Sequence, residues 1–304
     1  MNGVLVVDKP AGPTSHDVVD RVRAAFGMRR VGHTGTLDPF ASGVLPLCLG
    51  KATRLASHLT RGDKLYRAAV RLGSATTTDD LTGQPLGPPR AATFSTERLR
   101  VACDELTGAI HQRPPAYSAK RIDGQRAHQL ARRGVVFERA AVLVTVHAID
   151  ILRNDADTIE IEVRCSPGTY IRALGRDLGE ALGVGGHLIA LRRLASGPFS
   201  LADAVPWERL PDEGPQRLIP LARLLPDWPA VRVGQDGLAA LRHGRELTRR
   251  LVLEGFPDAP SGPMRVLDQT GELLALASPR GFLGEGPHPA VEPTLHPDTV
   301  LLDA

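Results

Sequence analysis

The segment from residue 32 to residue 50, GHTGTLDPFASGVLPLCLG, constrains the fold more than any other part of the chain. Its glycines permit backbone angles that other residues avoid, and Asp38 stands before Pro39, a pair that favours a turn over a helix interior. Residues 44–49 form an apolar run that predicts a buried strand, and Pro46 within it indicates an edge or bulge position. The sequence therefore predicts a bent loop that presents a carboxylate and is anchored by a strand. Asp-Pro pairs are also common as plain turn initiators.

The composition is that of a globular protein with one large domain and a small one. The chain has 304 residues, of which 42% are hydrophobic and 23% charged. Its three cysteines, Cys48, Cys103 and Cys165, form no CxxC motif, which predicts buried free thiols in a reducing compartment. No apolar run is long enough for a signal peptide or a membrane span, so we expect a cytoplasmic protein without a membrane partner. GxGxxG, P-loop and metal-ligand motifs are absent from the sequence, and we expect no cofactor and no metal.

The charge of the chain indicates an anionic partner. The formal net charge is +3 and the sequence pI is near 9.0, whereas aromatic residues make up 4%, too few for stacking the bases of a long single strand. A structured RNA recognised by its shape and phosphates fits better. Residues 111–133 form a basic excursion, although a solvated helix with a linker explains that charge equally well. The candidates for phosphate contacts there are Lys120, Arg121, Arg126, Arg132 and Arg133.

Local patterns predict both helices and strands. Thr14 or Ser15 can cap one helix and Ser95 a second. Thr169 can cap a third, with Arg172 unfavourably placed near its N-terminus unless a partner compensates or the side chain reaches water. The remaining periodic segments predict a helix over 51–59 and strands over 4–7, 66–72, 141–152, 158–165 and 187–194.

Two strings carry a family resemblance. GHTGTLDPFASGVLPLCLGKATR over residues 32–54, together with VDKPAGPTS over residues 7–15, closely resembles the bacterial tRNA pseudouridine-55 synthase family. That family isomerises the uridine in the T loop of tRNA. The resemblance implies that Asp38 is the catalytic aspartate and that Lys9 helps to shape the cleft. It also implies an α+β fold, a mixed and mainly antiparallel sheet flanked by helices, with a small C-terminal module of β-barrel type.

The same resemblance assigns roles to residues in two further motifs. KLYRA, over residues 64–68, is similar to the family's K-x-Y-R-A segment, which implies that Tyr66 stacks on the target base and is a candidate base for proton transfer. CSPGTYIR, over residues 165–172, matches the family's C-S-x-G-T-Y-I-R motif. This implies that Arg172 pairs with Asp38 and that Tyr170 contacts the substrate. An arginine beside the carboxylate favours its charged form.

Other implied roles concern the substrate. The resemblance gives His33 a stacking role when the nucleotide leaves the T loop, and it places Leu191 against the flipped nucleotide. Judged by the residues alone, His33 is a hydrogen-bonded turn residue and Leu191 an ordinary core residue. PPAYSAK, over residues 114–120, resembles a flexible flap of the family. Lys120, Arg132 and Arg133 are then the basic residues expected to bind the RNA.

The implied reaction breaks the bond between uracil N1 and the ribose, rotates the base and rejoins it through C5. It gains and loses no atoms overall, so it needs neither a redox carrier nor an energy donor. One ionised carboxylate suffices as the nucleophile, attacking either the uracil ring or ribose C1′. Because the uridine is stacked inside a folded loop, it must be extruded into a pocket at a cost of roughly a few kcal/mol.

The expected organisation is a catalytic domain over residues 1–205 with a basic insertion at about 111–140, a connector over 206–229, and a small RNA-binding module of PUA type over 230–304. We expect a monomer that acts on the T stem-loop of tRNA. Two other functions remain open on the residues. One is a nucleotidyl transferase that uses residues 32–35 as a phosphate-binding loop, although such HxGH-type sites use two histidines. The other is an RNA-binding protein without activity.

Overall fold

Two β-sheets carry the architecture, and helices cover one face of the larger sheet. The structure is a computed structural model that describes residues 1–117, 121–122, 125–126, 139–259, 262–281 and 292–302. Within these residues the α-helices are α1 (Ser15–Phe26), α2 (Ala56–Leu59), α3 (Thr96–Glu105), α4 (Ile171–Ala181), α5 (Leu210–Glu213) and α6 (Gln235–Arg242). A 3-10 helix, Gly50–Leu55, leads directly into α2. None of the described helices has the length and apolar character needed to cross a membrane.

In the described part of the chain the larger sheet has eleven strands and the smaller has six. The larger sheet contains β1 (Gly3–Lys9), β2 (Val31–His33), β3 (Ser42–Leu49), β4 (Lys64–Leu72), β5 (Gly108–Gln112), β8 (Val142–Asp155), β9 (Thr158–Cys165), β10 (Gly186–Ser196), β11 (Phe199–Ser200), β12 (Val205–Pro206) and β13 (Ile219–Pro220). The smaller sheet contains β14 (Ala230–Val233), β15 (Leu247–Thr248), β16 (Val252–Glu254), β17 (Met264–Leu267), β18 (Leu273–Arg280) and β19 (Thr294–Val300). Two short strands, β6 (Arg121–Ile122) and β7 (Gln125–Arg126), form a separate antiparallel pair.

The larger sheet is mixed and mainly antiparallel, which confirms the predicted α+β fold class. Its strand order is β12-β1-β3-β10-β4-β9-β8-β5. β1 pairs antiparallel with β3 along its whole length, and β4 is antiparallel to both of its neighbours, β10 and β9. β10 and β3 run parallel, with Arg192 opposite Ser42. This parallel contact brings the loop before β3 beside the middle of β10.

Side chains of the larger sheet alternate between two apolar layers, as the two-residue period of a strand requires. Leu5 belongs to one layer, which also receives Val18 of α1. Val4 belongs to the opposite layer, which it shares with Leu276 of the smaller sheet. The smaller sheet therefore packs on the face of the larger sheet that α1 leaves uncovered.

The first helix has a complete local cap. Thr14, one of the two predicted cap residues, is the N-cap of α1 and forms a capping box with Asp17. Gly27 ends the helix in the left-handed conformation at φ 59°. Ser15, the other predicted cap residue, is buried and lies under the loop that precedes β3.

Pro46 does not occupy the predicted edge or bulge position. β3 is an interior strand, and Pro46 pairs in regular register with Val6 of β1. The Pro46 carbonyl accepts a hydrogen bond of 3.1 Å from the Thr34 N–H, on the side away from β1. The pairing of β2 with β3 ends just before this point, with His33 opposite Leu47. Proline has no N–H to return a hydrogen bond to Thr34, so Pro46 lies where the β2 ladder stops.

The smaller sheet curls into the predicted barrel-like module. Its strand order is β15-β19-β18-β17-β14-β16, and a 3-10 helix, Arg249–Leu251, joins the two outermost strands. The two ends of the sheet therefore lie close together. Val231, Val266, Ala275 and Leu295 of its strands form a separate apolar cluster with Leu241 of α6. Between residues 205 and 229 the chain adds β12 and β13 beside β1 of the larger sheet and then leads into the smaller sheet.

Candidate active site

A cavity of about 270 Å³ lies where the loop before β3, the start of β4, the start of α4 and the middle of β10 meet. Five of the predicted site residues line it: Asp38, Tyr66, Tyr170, Arg172 and Leu191. Four segments that are distant in sequence thus contribute to one cavity.

Asp38 and Arg172 form a two-point ion pair at this cavity. Arg172 Nε lies 2.8 Å from Asp38 Oδ2, and Arg172 Nη2 donates a hydrogen bond of 3.3 Å to Asp38 Oδ1. The Arg172 side chain is only 5% exposed, whereas the Asp38 side chain is 34% exposed. A molecule in the cavity can therefore reach the carboxylate, while the guanidinium stays shielded from water and orients both carboxylate oxygens.

Further contacts fix the Arg172 guanidinium. Its Nη1 donates to the Thr78 carbonyl at 2.8 Å and its Nη2 to the Tyr117 carbonyl at 2.7 Å. Nη1 also lies 3.3 Å from Oδ2 of Asp80. A cation in the first turn of α4 opposes the helix dipole. The carboxylates of Asp38 and Asp80 compensate the positive charge of Arg172 at this position.

Asp80 is a site residue that the sequence analysis did not identify. Its side chain is as buried as that of Arg172. Oδ1 accepts hydrogen bonds from the Thr78 hydroxyl at 2.7 Å, the Thr82 hydroxyl at 2.5 Å and the Thr82 N–H at 2.9 Å. The turn thus occupies Oδ1 and presents Oδ2 to Arg172. Its signal in the sequence is the polar run over residues 76–83, and such a run is equally typical of an ordinary surface turn.

The loop between β2 and β3 is bound from β1 and α1 by side chains. Lys9 is fully buried, and its Nζ donates to the carbonyls of Pro39 at 3.2 Å and Ala41 at 2.7 Å. Ser15 Oγ accepts from the Leu37 N–H at 2.8 Å and donates to the Leu37 carbonyl at 3.0 Å. Burial lowers the pKa of Lys9 to about 8. These contacts restrain the loop backbone and with it the direction of the carboxylate.

Arg193 of β10 holds the same loop from the other side. It is 1% exposed, its Nε donates to the Val44 carbonyl at 2.7 Å, and its Nη2 donates to the Gly35 carbonyl at 3.1 Å. Gly43 has a φ of +105°, and a Cβ at this position would lie 2.1 Å from the Arg193 carbonyl. Only glycine therefore fits where β3 and β10 meet. The sequence pattern predicts a strand at Arg193 and indicates no role for its side chain.

Burial dominates the electrostatics of the cavity. It raises the pKa of the Asp38 carboxyl above its ordinary value, and the Arg172 charge acts in the opposite direction. Burial also raises the pKa of the Tyr66 phenol, which therefore stays protonated at neutral pH. Burial lowers the pKa of Lys64, whose Nζ donates to the Thr60 carbonyl at 2.6 Å. The cavity thus offers one carboxylate held by an arginine and one neutral phenol.

Among the described residues, His33 is the predicted substrate-binding residue that does not line the cavity. His33 lies on β2 outside its lining, and the His33 Nδ1 is buried without a hydrogen-bond partner among the described residues. Burial lowers the pKa of His33, so the ring is neutral at pH 7. Lys120, Arg132 and Arg133 lie outside the described residues. In the part of the chain that the structure describes, no three His, Cys, Asp or Glu side chains are grouped as metal ligands.

Thr169 is not the cap of α4, contrary to the sequence-based expectation. The N-cap is Tyr170, without a capping side chain of its own. Gln112 of β5 replaces the local cap, since its Oε1 accepts from the Tyr170 N–H at 2.8 Å and its Nε2 donates to the Tyr170 carbonyl at 3.0 Å. The Thr169 hydroxyl donates instead to the Ser166 carbonyl at 2.9 Å. A side chain from a distant strand therefore fixes Tyr170 at the cavity wall.

Comparison with known sequences gives consistent matches along the chain. The family described as TruB family pseudouridylate synthase, N-terminal domain, matches residues 23–171. The family described as tRNA pseudouridylate synthase B C-terminal domain matches residues 172–217. The tRNA pseudouridine synthase B of Solibacter usitatus is 40% identical over 91% of this chain and 95% of its own length. That of Corynebacterium efficiens is 45% identical over 90% of this chain and 94% of its own length.

Solved structures show the same architecture. A chain in the crystal structure of a Cbf5-Nop10-Gar1 complex aligns with a TM-score of 0.73 and 27% identity, covering 99% of this chain and 85% of the other. A chain in the structure of an H/ACA RNP bound to a substrate RNA containing 2′-deoxyuridine aligns with a TM-score of 0.71 and 25% identity, with the same coverage of 99% and 85%. The likeness therefore extends over both sheets.

Proposed function

The chain belongs to the TruB family of pseudouridylate synthases and isomerises uridine to pseudouridine in tRNA, and we propose that it acts at position 55 of the T loop through Asp38. The observation that carries this assignment is the accessible Asp38 carboxylate, held 2.8 Å from the buried Arg172 guanidinium at the wall of the cavity. A carboxylate that is both oriented and reachable meets the main requirement of the reaction.

The chemistry needs one nucleophile and two proton movements. The bond between uracil N1 and ribose C1′ breaks, the base rotates, and a bond forms between C5 and C1′. The hydrogen on C5 leaves as a proton and N1 takes up a proton, so atoms and electrons balance without a further reactant. Asp38 supplies the nucleophilic oxygen, at the uracil ring or at C1′. Arg172 favours the ionised form of Asp38 against the effect of burial.

The target nucleotide enters the cavity only after leaving the stack of the T loop. Tyr66 is buried in the cavity wall and supplies an aromatic face for the uracil, and Leu191 and Tyr170 complete the wall. Because burial raises the pKa of Tyr66, its hydroxyl acts as a neutral group that passes a proton on rather than as a resident phenolate. His33, on β2 beside the cavity loop, stacks in the T loop where the base has left.

The release of tritium from C5 tests this function. Wild-type protein incubated with unmodified tRNA that carries tritium at uridine C5 should release the label to water without any added nucleotide. Asp38→Asn keeps the shape of the side chain but removes the ionisable oxygen, so tRNA binding should remain and release should stop. Asp20→Asn is the matched control, since Asp20 lies on α1 with its side chain 55% exposed, and it should release tritium as the wild type does.

The results separate the alternatives. Dependence of turnover on a nucleotide would indicate a transferase, and tRNA binding without any release would indicate an inactive RNA-binding protein. Turnover retained by Asp38→Asn would refute the assignment of the nucleophile. Replacement of uridine 55 in the substrate tRNA should abolish release, and release from such a tRNA would refute the assignment of the position.

The organisation expected from the sequence completes the proposal. The catalytic domain spans residues 1–205 and carries the basic insertion at about 111–140. Residues 206–229 form the connector to the module at 230–304, which binds RNA. Lys120, Arg132 and Arg133 contact phosphates of the tRNA backbone. The protein works as a monomer in the cytoplasm, where its tRNA substrate is found.

A further inference from the structure

A second, larger cleft lies between the two sheets, away from the candidate active site. Its volume is about 800 Å³, and the residues that line it are Asn2, Arg30, Gly50, Lys51, Arg54, Arg242, Val300 and Leu302. Four of these eight described residues are cationic and none is acidic. The turn before β2 supplies Arg30, the 3-10 helix supplies Lys51 and Arg54, and the last residue of α6 supplies Arg242. The cleft is therefore complete only when the two modules are packed together.

Two of the four cationic side chains of this cleft are held in place by hydrogen bonds. Arg30 Nε donates to the Thr53 hydroxyl at 2.8 Å, and that hydroxyl donates to the Gly50 carbonyl at 2.8 Å. Arg54 Nη1 donates to the carbonyl of Val300 in β19 and so ties the 3-10 helix to the smaller sheet. Pre-organised guanidinium groups bind an anion with less loss of side-chain entropy than mobile ones.

The backbone at Gly50 shapes the floor of the cleft. Gly50 has a φ of +58°, and a Cβ there would lie 2.3 Å from Asn2 Oδ1. The Gly50 N–H donates to the Arg30 carbonyl at 2.8 Å, and Asn2 Oδ1 accepts from the Lys51 N–H at 2.8 Å. This close approach sets residues 50–54 directly beside residue 30. The backbone packing at Gly50 therefore brings Arg30 close to Lys51 and Arg54.

The three arginines of the cleft have no carboxylate partner among the described residues. Arg30, Arg54 and Arg242 form no ion pair with a carboxylate that the structure describes. Like charges gathered in one cleft repel one another unless an anion binds between them. Guanidinium groups present a planar fork of N–H donors that matches the oxygens of a phosphate. The chemistry of the cleft therefore suits a phosphate group.

We propose that this cleft binds a backbone phosphate of the substrate tRNA away from the flipped nucleotide. The proposal rests on the tRNA substrate of the proposed function. β3 leads from the Asp38 loop at its start to Gly50 at its end, which is about 23 Å at the rise of an extended strand. A phosphate in the cleft thus belongs to a different part of the tRNA than the nucleotide in the cavity. Contacts of this kind set orientation and affinity and leave the chemical step unchanged.

The double variant Arg30→Gln with Arg242→Gln tests this proposal, because both side chains are exposed. Arg242→Gln alone is a second test that changes only the end of α6. Arg90→Gln is the matched control, since it removes one exposed arginine near Gly73, at the end of the sheet opposite Gly50. The dissociation constant for full-length unmodified tRNA is measured over a range of salt concentrations, together with tritium release at saturating tRNA.

The double variant should bind tRNA about tenfold more weakly than the wild type at moderate salt. The slope of log affinity against log salt should fall by about 1, as expected for one lost phosphate contact, and kcat should not change. Arg242→Gln should weaken tRNA affinity and reduce the salt slope by smaller amounts, and Arg90→Gln should change neither. Affinity and slope equal to those of the wild type, or an equal effect of Arg90→Gln, would overturn the proposal.

Binding of inorganic phosphate to the wild type and to the double variant is measured by calorimetry. This measurement distinguishes a free anion from a tRNA phosphate as the ligand of the cleft. Phosphate binding that the double variant loses, combined with unchanged tRNA affinity, would show an anion site that tRNA does not use and would overturn the proposal. Wild-type tritium release in the same preparations separates this inference from the proposed function. If the wild type releases no tritium, the proposed function is refuted. If the wild type releases tritium and the double variant binds tRNA as tightly as the wild type, only the proposal that the cleft binds a tRNA phosphate is refuted.

Discussion

Substitution of Asp80 by asparagine isolates the role of the buried carboxylate behind Arg172. Asp80 Oδ2 lies 3.3 Å from Arg172 Nη1, and both side chains are 5% exposed. At an effective dielectric of about 20, two unit charges at this distance attract by roughly 5 kcal/mol. Removing one partner of a buried pair costs about 3–5 kcal/mol. Arg172 keeps Asp38 and two carbonyl partners, and Asn retains an acceptor for the Thr78 and Thr82 bonds. We therefore expect the free energy of unfolding to fall by about 3 kcal/mol.

The same substitution has an effect on catalysis that a purely structural residue would not produce. The Asp80 charge is one of the influences that raise the pKa of Asp38, so its removal lowers that pKa. Asp38 then stays ionised to lower pH. The acidic limb of the single-turnover rate should move to lower pH in Asp80→Asn. A less firmly held Arg172 should also reduce the plateau rate by roughly 10–100-fold.

Urea denaturation and single-turnover tritium release between pH 4 and 8 measure the two effects. Asp79→Asn is the matched control, since its carboxylate pairs with Arg176 at 2.9 Å and asparagine tolerates its positive φ of 60°. It should lower stability and leave the acidic limb in place. An unfolding free energy within about 1 kcal/mol of wild type, or an acidic limb that stays or moves to higher pH, would refute the reasoning.

Two further substitutions test how the loop is held. Burial lowers the pKa of Lys9 from 10.5 to about 8, so between these values the unfolded chain binds the extra proton. Between pH 8 and 10.5 the free energy of unfolding of the wild type, measured by urea denaturation, should therefore rise by up to about 3 kcal/mol relative to that of Lys9→Met. Unfolding free energies of the two proteins that change with pH in parallel would contradict this. Gly43→Ala places a Cβ 2.1 Å from the Arg193 carbonyl at a φ of +105°, whereas Gly12→Ala meets no atom within 4 Å at a φ of +112°. Gly43→Ala should lower the free energy of unfolding by more than about 3 kcal/mol and Gly12→Ala by about 1–2 kcal/mol, and equal losses would contradict the close approach.

The sequence predicted those parts of the fold that local patterns determine. The apolar run at residues 44–49 became the buried strand β3, and Thr14 with Asp17 capped α1, because alternation and capping act within a few residues. Thr169 failed as a cap because Gln112, from another strand, satisfies the Tyr170 backbone. Which side chain caps the helix depends on a tertiary contact between residues far apart in the sequence. A short segment of sequence does not contain that information.

The candidate site shows the same limit. Asp38, Tyr66 and Arg172 carry the motifs of the family, and the structure brings all three to one cavity. Asp80 and Arg193 were missed because their roles come from contacts with residues far along the chain, such as Arg172 and Gly35. A buried charge in a polar turn or in a strand has the same local sequence as a solvated one. Its partner becomes visible only in three dimensions.

The way the Asp38 loop is held implies when activity arises during synthesis of the protein. Its backbone carbonyls are bound by Lys9 of β1 and by Arg193 of β10, and its carboxylate is bound by Arg172 of α4. A nascent chain that has emerged only as far as β9 contains the whole loop yet lacks two of these three anchors. Such a chain can display the motif on the ribosome without a working site. Modification of tRNA by this protein thus begins only after almost two thirds of the polypeptide has been made and packed, about 193 of its 304 residues.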